Sequence, residues 1–370
     1  MQKTLYIGLD VHKESIAVSV ADEGRNEPIR YLGPIPNTPV DVASMAKRLA
    51  KNGMRLEFCY EAGCCGYGIH RQLTTLGHGC MVVAPTLIPK KPGERIKTDR
   101  RDSQKLAVLL RSGDLTPVWV PDKVHEAMRD LVRARAAAAA QLTQARQQTL
   151  AFLLRHGQVY TVSAKHWTYK HRQWLASQAF EFPAHQIVFQ DYMEAVMVAE
   201  SRCDALLKSI DAQLTNWSMK PLVDALRGLR GMDTISAVTF VAVVGDLGRF
   251  QTPRQLMAYL GLVPSEYSSG DRILRGGITK TGNREARRML VEAAWCYRYP
   301  ARVAVNKSKV LATLPKYVRD TAWKAQIRLC GRFRQMMARG KKSTVVVAAI
   351  ARELSGFIWA IGQEVKPAMP

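Results

Sequence analysis

Cysteine motifs, acids and late histidines are what this chain is short of. Its seven cysteines are odd in number and no two form a Cys-x-x-Cys pair; the adjacent Cys64-Cys65 matches no zinc spacing. That speaks against a zinc ribbon or a disulfide scaffold, and reduced thiols in a cytoplasmic protein are expected. No histidine follows His185, so the second half has no imidazole of its own for general base work. The longest apolar stretch, Val345 to Ile361, is interrupted by Arg352-Glu353 and reads as a buried helix, not a membrane span. There is no lipidation signal. A signal peptide is not expected, because the first residues lead straight into a strand pattern. An ATP-binding actin-like fold would need glycine-rich phosphate loops after its opening strand, and none in this chain is convincing as one of that fold's.

Positive charge is in excess. Among 370 residues, 54 Lys and Arg face 31 Asp and Glu, a formal charge of +23, which suits a polyanionic partner. The excess is clustered: from Asp271 to Lys342, nineteen Lys or Arg stand against four acids. A dedicated nucleic-acid face accounts for this better than a uniformly basic surface. The length allows two or three domains, each with its own core.

Against that background four acids stand out. Asp10 closes the apolar run Thr4–Asp10, and Glu61 closes Arg55–Glu61; Asp99 and Asp102 follow in Lys97-Thr-Asp-Arg-Arg-Asp-Ser103. A carboxylate that ends a buried strand sits where a sheet opens onto solvent. Three or four of them can hold a pair of Mg²⁺ ions that clamp the attacking and leaving oxygens of a phosphodiester. Hard oxygen donors favour Mg²⁺ or Mn²⁺ over softer metals. Each of the four, taken singly, is an ordinary solvated acid. Together they point to a metal site, because the basic loop from Lys90 to Arg101 has no other need of acids. Lys97, Arg100 and Arg101 are its candidate nucleic-acid contacts.

Three regions follow from composition and periodicity. Residues 1–118 alternate strand and helix. Leu5–Asp10 and Ser15–Ala21 form a hairpin with His12-Lys13 in the turn, and a third strand lies near Ile29–Leu32. A helix over Val40–Ala50, the strand ending at Glu61, a helix from Gly68 to Leu76 and a short strand Met81–Ala84 come next. Thr98 caps a helix that runs to Arg111 and stops at Gly113, placing Asp99 and Asp102 on one face. This pattern suits an RNase H-like core. Residues 119–225 read as all-helical: Glu126 to Arg155 lacks Gly and Pro, and a second long helix runs from Asp191 to about Trp217. Two such helices suggest a coiled-coil spacer and an oligomer contact. Between them Trp167, Tyr169 and Trp174 stand beside Lys165, Lys170 and Arg172. This segment either stacks on unpaired bases or is a hairpin tip packed on itself.

Residues 226–370 open with Leu226 to Val244, which resembles a helix-hairpin-helix element that grips a backbone phosphate at its turn. Gly231 is present, but Asp233 occupies the place of the second glycine; an acid there repels phosphate, so packing alone is an equal alternative to DNA contact. The segment Gly261 to Asn283 is rich in Gly, Ser and Arg and reads by itself as a basic phosphate-binding loop, any one serine in it being an ordinary turn residue.

Three signatures together resemble the IS-one-ten family of bacterial insertion-sequence transposases, some of which are RNA-guided bridge recombinases. They are Tyr6-Ile-Gly-Leu-Asp-Val-His-Lys13; Tyr60-Glu-Ala-Gly63 with Thr98-Asp-Arg-Arg-Asp102; and Gly261-Leu-Val-Pro264 followed by Ser269-Gly270 and Gly276-Gly-Ile-Thr-Lys-Thr-Gly-Asn283. The match covers nearly the whole chain in order and spacing. It implies a RuvC-like (RNase H-like) α/β domain at 1–118 that carries Asp10, Glu61, Asp99 and Asp102 as catalytic metal ligands. It also implies a helical coiled-coil spacer and a mainly helical C-terminal transposase domain in which Ser269 is the nucleophile.

The implied reaction is Mg²⁺-dependent strand cleavage and exchange through a phosphoserine–DNA link. The implied partners are donor and target DNA, a guide RNA, and further copies of the chain in a dimer or tetramer, with no membrane. A serine hydroxyl needs a base or a metal to assist it, so the two halves are expected to meet, within one chain or across subunits. Arg272, Arg275 and Lys280 are candidates to stabilise transition-state charge, and Arg284, Arg287 and Arg288 to bind nucleic acid. Two other readings stay open: a metal-dependent nuclease or junction resolvase without a serine nucleophile, and a non-catalytic nucleic-acid-binding protein.

Overall fold

The structure is a computed structural model, and it describes residues 3–24, 26–51, 53–89, 93 and 96–368. Most of the basic stretch Lys90–Arg95 lies outside the described residues. The chain forms two compact units, Met1–Val120 and Pro121–Pro370. The first is mixed α/β around a five-stranded sheet; the second is mainly helical.

In the first unit the strands are β1 (Thr4–Val11), β2 (Ser15–Asp22), β3 (Ile29–Pro36), β4 (Arg55–Glu61) and β5 (Gly79–Val83), in spatial order β3-β2-β1-β4-β5. β1 is antiparallel to β2, β2 to β3, and β1, β4 and β5 run parallel. β2 is buried along its interior on both faces, as its unbroken apolar run requires. β3 extends past Gly33 and through Pro34 and Pro36, four residues beyond the sequence expectation. It is an edge strand, where a residue without an N–H costs no ladder bond.

Each face of the sheet carries helices. Helices α1 (Pro39–Leu49) and α2 (Gly68–Thr75) send Val42, Met45, Ile69 and Leu73 onto one face, where Ile7, Leu9, Phe58 and Tyr60 meet them. Helix α3 (Asp99–Ser112) lies on the other. Its start is fixed by Thr98, whose Oγ accepts from the Arg101 N–H at 3.3 Å, and its end by Gly113 at φ +76°. α3 approaches β1 at backbone distance: a Cβ on Gly8 would stand 2.1 Å from the Ser103 carbonyl oxygen and 2.5 Å from the Ala107 nitrogen. A buried hydrogen bond between the hydroxyls of Ser19 and Ser103, 2.8 Å, locks the same contact.

In the second unit two long helices, α4 (Lys123–Arg155) and α6 (Pro183–Leu214), pack along each other, with α5 (Tyr169–Ala176) between them in sequence. α6 begins eight residues before the position that periodicity suggests, because Pro183 serves as its first-turn residue. The tip is packed on itself. Phe152, Leu153, Leu175 and Phe189 are buried there. Glu200 accepts hydrogen bonds from Arg146 (2.5 Å) and Arg172 (2.6 and 3.1 Å), and both guanidiniums lie over the Trp167 ring. Tyr169 remains exposed.

The second, larger core is built around α8 (Thr234–Val244), every residue of which from Ala237 on is buried. A helix apolar all round must be covered on all sides; α7 (Lys220–Leu226), α10 (Arg284–Trp295), α12 (Lys316–Ala338) and α13 (Ser343–Glu364) share its core cluster. α13 is by length and composition apolar enough to cross a membrane, and its Val346, Val347, Ile350, Leu354, Ile358 and Ile361 are part of that core. In the Leu226–Val244 turn, Asp233 is the N-cap of α8, accepting from the Ser236 N–H at 2.7 Å. Gly231, at φ +81°, backs onto Ala293, whose carbonyl oxygen would lie 2.6 Å from an added Cβ. The ammonium of Lys307, in α11 (Val305–Ala312), is held by the carbonyls of Arg227 and Met232.

The Gly8 contact is testable. Gly8→Ala should lower the unfolding free energy by about 1–3 kcal/mol, the cost of overpacking, whereas Gly68→Ala, at a helix start with nothing within 4 Å, should leave it unchanged or slightly raised. Urea unfolding of both variants reads this out; a wild-type midpoint for Gly8→Ala would refute the close approach.

Candidate functional sites

The acid site forms at one end of the first unit's sheet. The last registered pair of β1 and β4 is Leu9 with Tyr60, so Asp10 and Glu61 follow on neighbouring strand ends. Because Ile7, Leu9, Phe58 and Tyr60 point to the α1–α2 side, the alternate residues, including Asp10 and Glu61, point to the α3 side. Asp99 and Asp102 occupy the first turn of α3, where the helix dipole favours negative charge.

Among the described residues the tight group is Asp10, His12 and Asp99, each offering one ligand atom within 4.8 Å of the others. His12 Nε2 stands 3.3 Å from Asp10 Oδ2 and 3.5 Å from Asp99 Oδ1. Asp102 is near enough to act on Asp10 through its charge, and Lys97 Nζ lies 3.8 Å from its Oδ2. Glu61 is exposed at its strand end and is not part of the tight group. Burial pushes the Asp10 carboxyl above its ordinary range; the Asp102 and Asp99 carboxylates add to this and His12 opposes it.

His12 is the residue that sequence reasoning left in the turn. The signal was present: it stands two residues after Asp10 in extended chain, hence on the same side. The donor set fits a divalent cation. Two or three carboxylates crowd together at one of which the charged form is disfavoured, and a cation relieves that. The imidazole adds one borderline nitrogen to otherwise hard oxygens.

The basic candidates nearby differ in their surroundings. Arg100 lies over the Tyr31 ring at 5.4 Å, and the Arg101 side chain is exposed.

The serine site is a hairpin in the second unit, β6 (Pro264–Glu266) with β7 (Arg275–Ile278). Its pairing continues outward through Tyr267 with Leu274 to Ser269 with Arg272, which exchange both backbone hydrogen bonds at 3.1 and 3.2 Å. Gly270 and Asp271 are then the two loop residues. Gly270 has φ +55°, and glycine in the first loop position with positive φ is what a II′ hairpin turn demands.

Ser268 and Ser269 differ in their engagements. The Ser268 hydroxyl donates to Glu266 Oε1 at 2.8 Å, and Arg275 Nε holds the other Glu266 oxygen at 3.3 Å. Among the described residues the Ser269 hydroxyl makes no hydrogen bond, and it is exposed at the tip. Lys280 adopts a left-handed backbone, φ +56°. Arg284 opens α10 on the surface. Arg287 is turned inward, donating to the carbonyls of Leu260 (3.0 Å) and Thr281 (2.8 Å), and burial lowers its pKa. Arg288 is paired with Glu292 at 2.7 Å.

Comparison with known proteins gives the class and the family of this chain. Residues 7–157 match a DEDD transposase family model, and residues 223–305 match the model of the IS116/IS110/IS902 transposase family. The chain is 50% identical to the transposase y4qE of Sinorhizobium fredii over 98% of its length and 89% of that protein. It is 32% identical to the transposase for insertion sequence element IS1533 of Leptospira borgpetersenii, over 92% of its length and 99% of that protein. The chain belongs to the IS110/IS116 family: it is an insertion-sequence transposase, an enzyme acting on DNA, and its DEDD domain implies use of a divalent metal.

The metal reading has a consequence without DNA. A raised folded-state pKa means that stability tied to protonated Asp10 is lost as pH rises through that pKa. In EDTA, Asp10→Asn should therefore melt no lower than wild type, with its relative advantage growing as pH rises through that range. Added Mg²⁺ or Mn²⁺ should raise the wild-type midpoint and leave the variant's in place. Equal metal-induced shifts in both proteins would exclude Asp10 as a ligand.

Proposed function

We propose that this transposase cleaves and exchanges DNA strands through a covalent Ser269–DNA intermediate, with Asp10, Glu61, Asp99 and Asp102 as a Mg²⁺-binding set. On this reading the first unit is an RNase H-like (RuvC-like) domain, consistent with its strand order and with the DEDD family match. The chain divides functionally at about residues 118 and 225, into that domain, a coiled-coil spacer and the serine-bearing domain. The observation that carries the serine assignment is the contrast at the hairpin tip: the Ser268 hydroxyl is tied to Glu266, while that of Ser269 is exposed and, among the described residues, makes no hydrogen bond.

In the reaction the Ser269 oxygen attacks a phosphodiester phosphorus. A new Oγ–P bond forms, one P–O bond to the sugar breaks, and the departing sugar oxygen leaves as a hydroxyl, balanced by the proton that the serine gives up. A sugar hydroxyl from a second strand then reverses the step, so exchange needs no high-energy cofactor. Held by Asp10, Glu61, Asp99 and Asp102, a divalent cation would supply Lewis-acid polarisation of a phosphate oxygen. Arg272, across the turn from Ser269, supplies positive charge fixed before the reaction. The basic surface also suits a guide RNA, and the paired helices α4 and α6 suit assembly into a dimer or tetramer.

Ser269→Ala should bind substrate DNA as wild type does yet form no protein–DNA adduct, and Ser268→Ala should keep most of the activity. Denaturing gels with labelled DNA and Mg²⁺ decide it. An adduct retained in Ser269→Ala refutes the assignment, and full recombination by both variants leaves a metal-only nuclease. Recombination by an RNA-free preparation at the rate of the RNA-loaded one would remove the guide.

A further inference from the structure

Beside the base of the serine hairpin lies a cavity of about 990 Å³ among α9 (Pro253–Tyr259), α12, α13 and the β6–β7 pair. It lies at the upper end of the roughly 300–1,000 Å³ typical of ligand pockets. Met257, Leu262, Ile278 and Ala349 give it an apolar floor. Five cations and one acid line it, and the acid is already neutralised: Glu353 is held by Arg328 at 2.9 Å and Arg332 at 2.6 Å. Arg254, Lys280 and Arg352 are left, and among the described residues no carboxylate pairs with them. An apolar floor under an uncompensated cationic rim is complementary to a ligand that is flat and apolar at one end and anionic at the other.

A second observation falls at the same place. Lys280 is one of two non-glycine residues with positive φ among the described residues. The conformation is held by its neighbours: Lys280 N–H donates to the Gly261 carbonyl at 3.1 Å, and Cβ atoms on Gly261 or Gly282 would collide with backbone at 2.3 and 2.0 Å. A lysine kept in a disfavoured conformation by over-determined surroundings is a mark of a functional position. A third is proximity. Gly276 and Ile278 line the cavity, and Arg272, opposite Ser269, is four residues from Gly276, a strand distance on the order of 13 Å.

We propose that this cavity receives one unpaired nucleotide of the DNA strand being cut, its base on the apolar floor and its phosphates on Arg254, Lys280 and Arg352. The proposal rests on the serine reading above for the identity of the strand. Bases drawn out of a stack pack against apolar side chains and guanidinium planes, and the Met257 sulfur is a favourable neighbour for an aromatic ring. Holding a nucleotide a few positions from the scissile phosphate fixes the register of the strand over Ser269.

The test uses the full chain and a short fluorescent oligodeoxynucleotide, single-stranded and as a blunt duplex. Ala349→Phe fills the floor without removing a cation, and Val345→Trp, at an exposed position of the same wall, carries the test if the first variant fails to fold. Each should weaken single-strand binding roughly tenfold while changing duplex binding by less than about twofold, a stacking-sized loss. Arg254→Ala combined with Arg352→Ala should weaken both and flatten the salt dependence. Unchanged single-strand affinity in folded variants, or equal loss on duplex and single strand, would overturn the proposal. So would preference for RNA of the same sequence, or a changed sedimentation coefficient with unchanged DNA binding, which would make the cavity a seat for a second copy. Failure of the underlying reading looks different: no Ser269 adduct in wild type, with selective single-strand loss in the variants intact.

Discussion

Helix α3 rests on β1 at backbone distance, and the absence of a side chain at Gly8 is what permits it. An alanine there would drive its Cβ into the Ser103 carbonyl and the Ala107 nitrogen. The first turn of α3 carries Asp99 and Asp102, and Asp10 is the last but one residue of β1, so the same contact sets the distances among the carboxylates. Like charges so placed repel, and the structure shows the response: the Asp10 carboxyl is raised, and His12 leans between Asp10 and Asp99. Burial of Leu106 and Leu110 against Cys59 and Val83, and the Ser19–Ser103 bond, hold the helix against that repulsion.

The second unit meets a different constraint. Its central helix α8 has no polar face, so stability requires cover on every side, and the surrounding helices spend their apolar faces on it. Apart from Arg287, which is turned inward, that leaves their cations outward. Some are tied by acids, as Arg288 is by Glu292 and Arg328 and Arg332 are by Glu353; others, such as Arg254, pair with no carboxylate among the described residues. The serine hairpin rises from this scaffold with a tip of two residues, and a short loop of that kind carries little conformational entropy to be lost when a substrate orders it.

The turn between α7 and α8 shows how a phosphate-gripping pattern can be retained in outline while its polar groups turn inward. Asp233 caps α8, Gly231 makes room for Ala293, and the Lys307 ammonium occupies the turn carbonyls. Burial lowers the pKa of that lysine, and Asp233 partly restores it. The acid that reads as a defect for DNA contact is thus a structural partner of both a helix and a cation.

Local chemistry alone determined a good part of this protein. Apolar runs ending in Asp10 and Glu61 fixed two strand ends, Thr98 and Gly113 fixed the limits of α3, and the Ser269-Gly270 pair fixed a tight turn, because each depends on residues within a few positions of one another. Tertiary structure decided what depends on distant partners. His12 joined the carboxylates only when α3 came down on the sheet. β3 kept going through its prolines because no strand lies outside it. Arg287 reads in sequence like its neighbour Arg288, yet it was claimed by the carbonyls of Leu260 and Thr281. A cation's partner is set by what the fold brings within about 3 Å of it, and charge patterning along a chain carries no such distance.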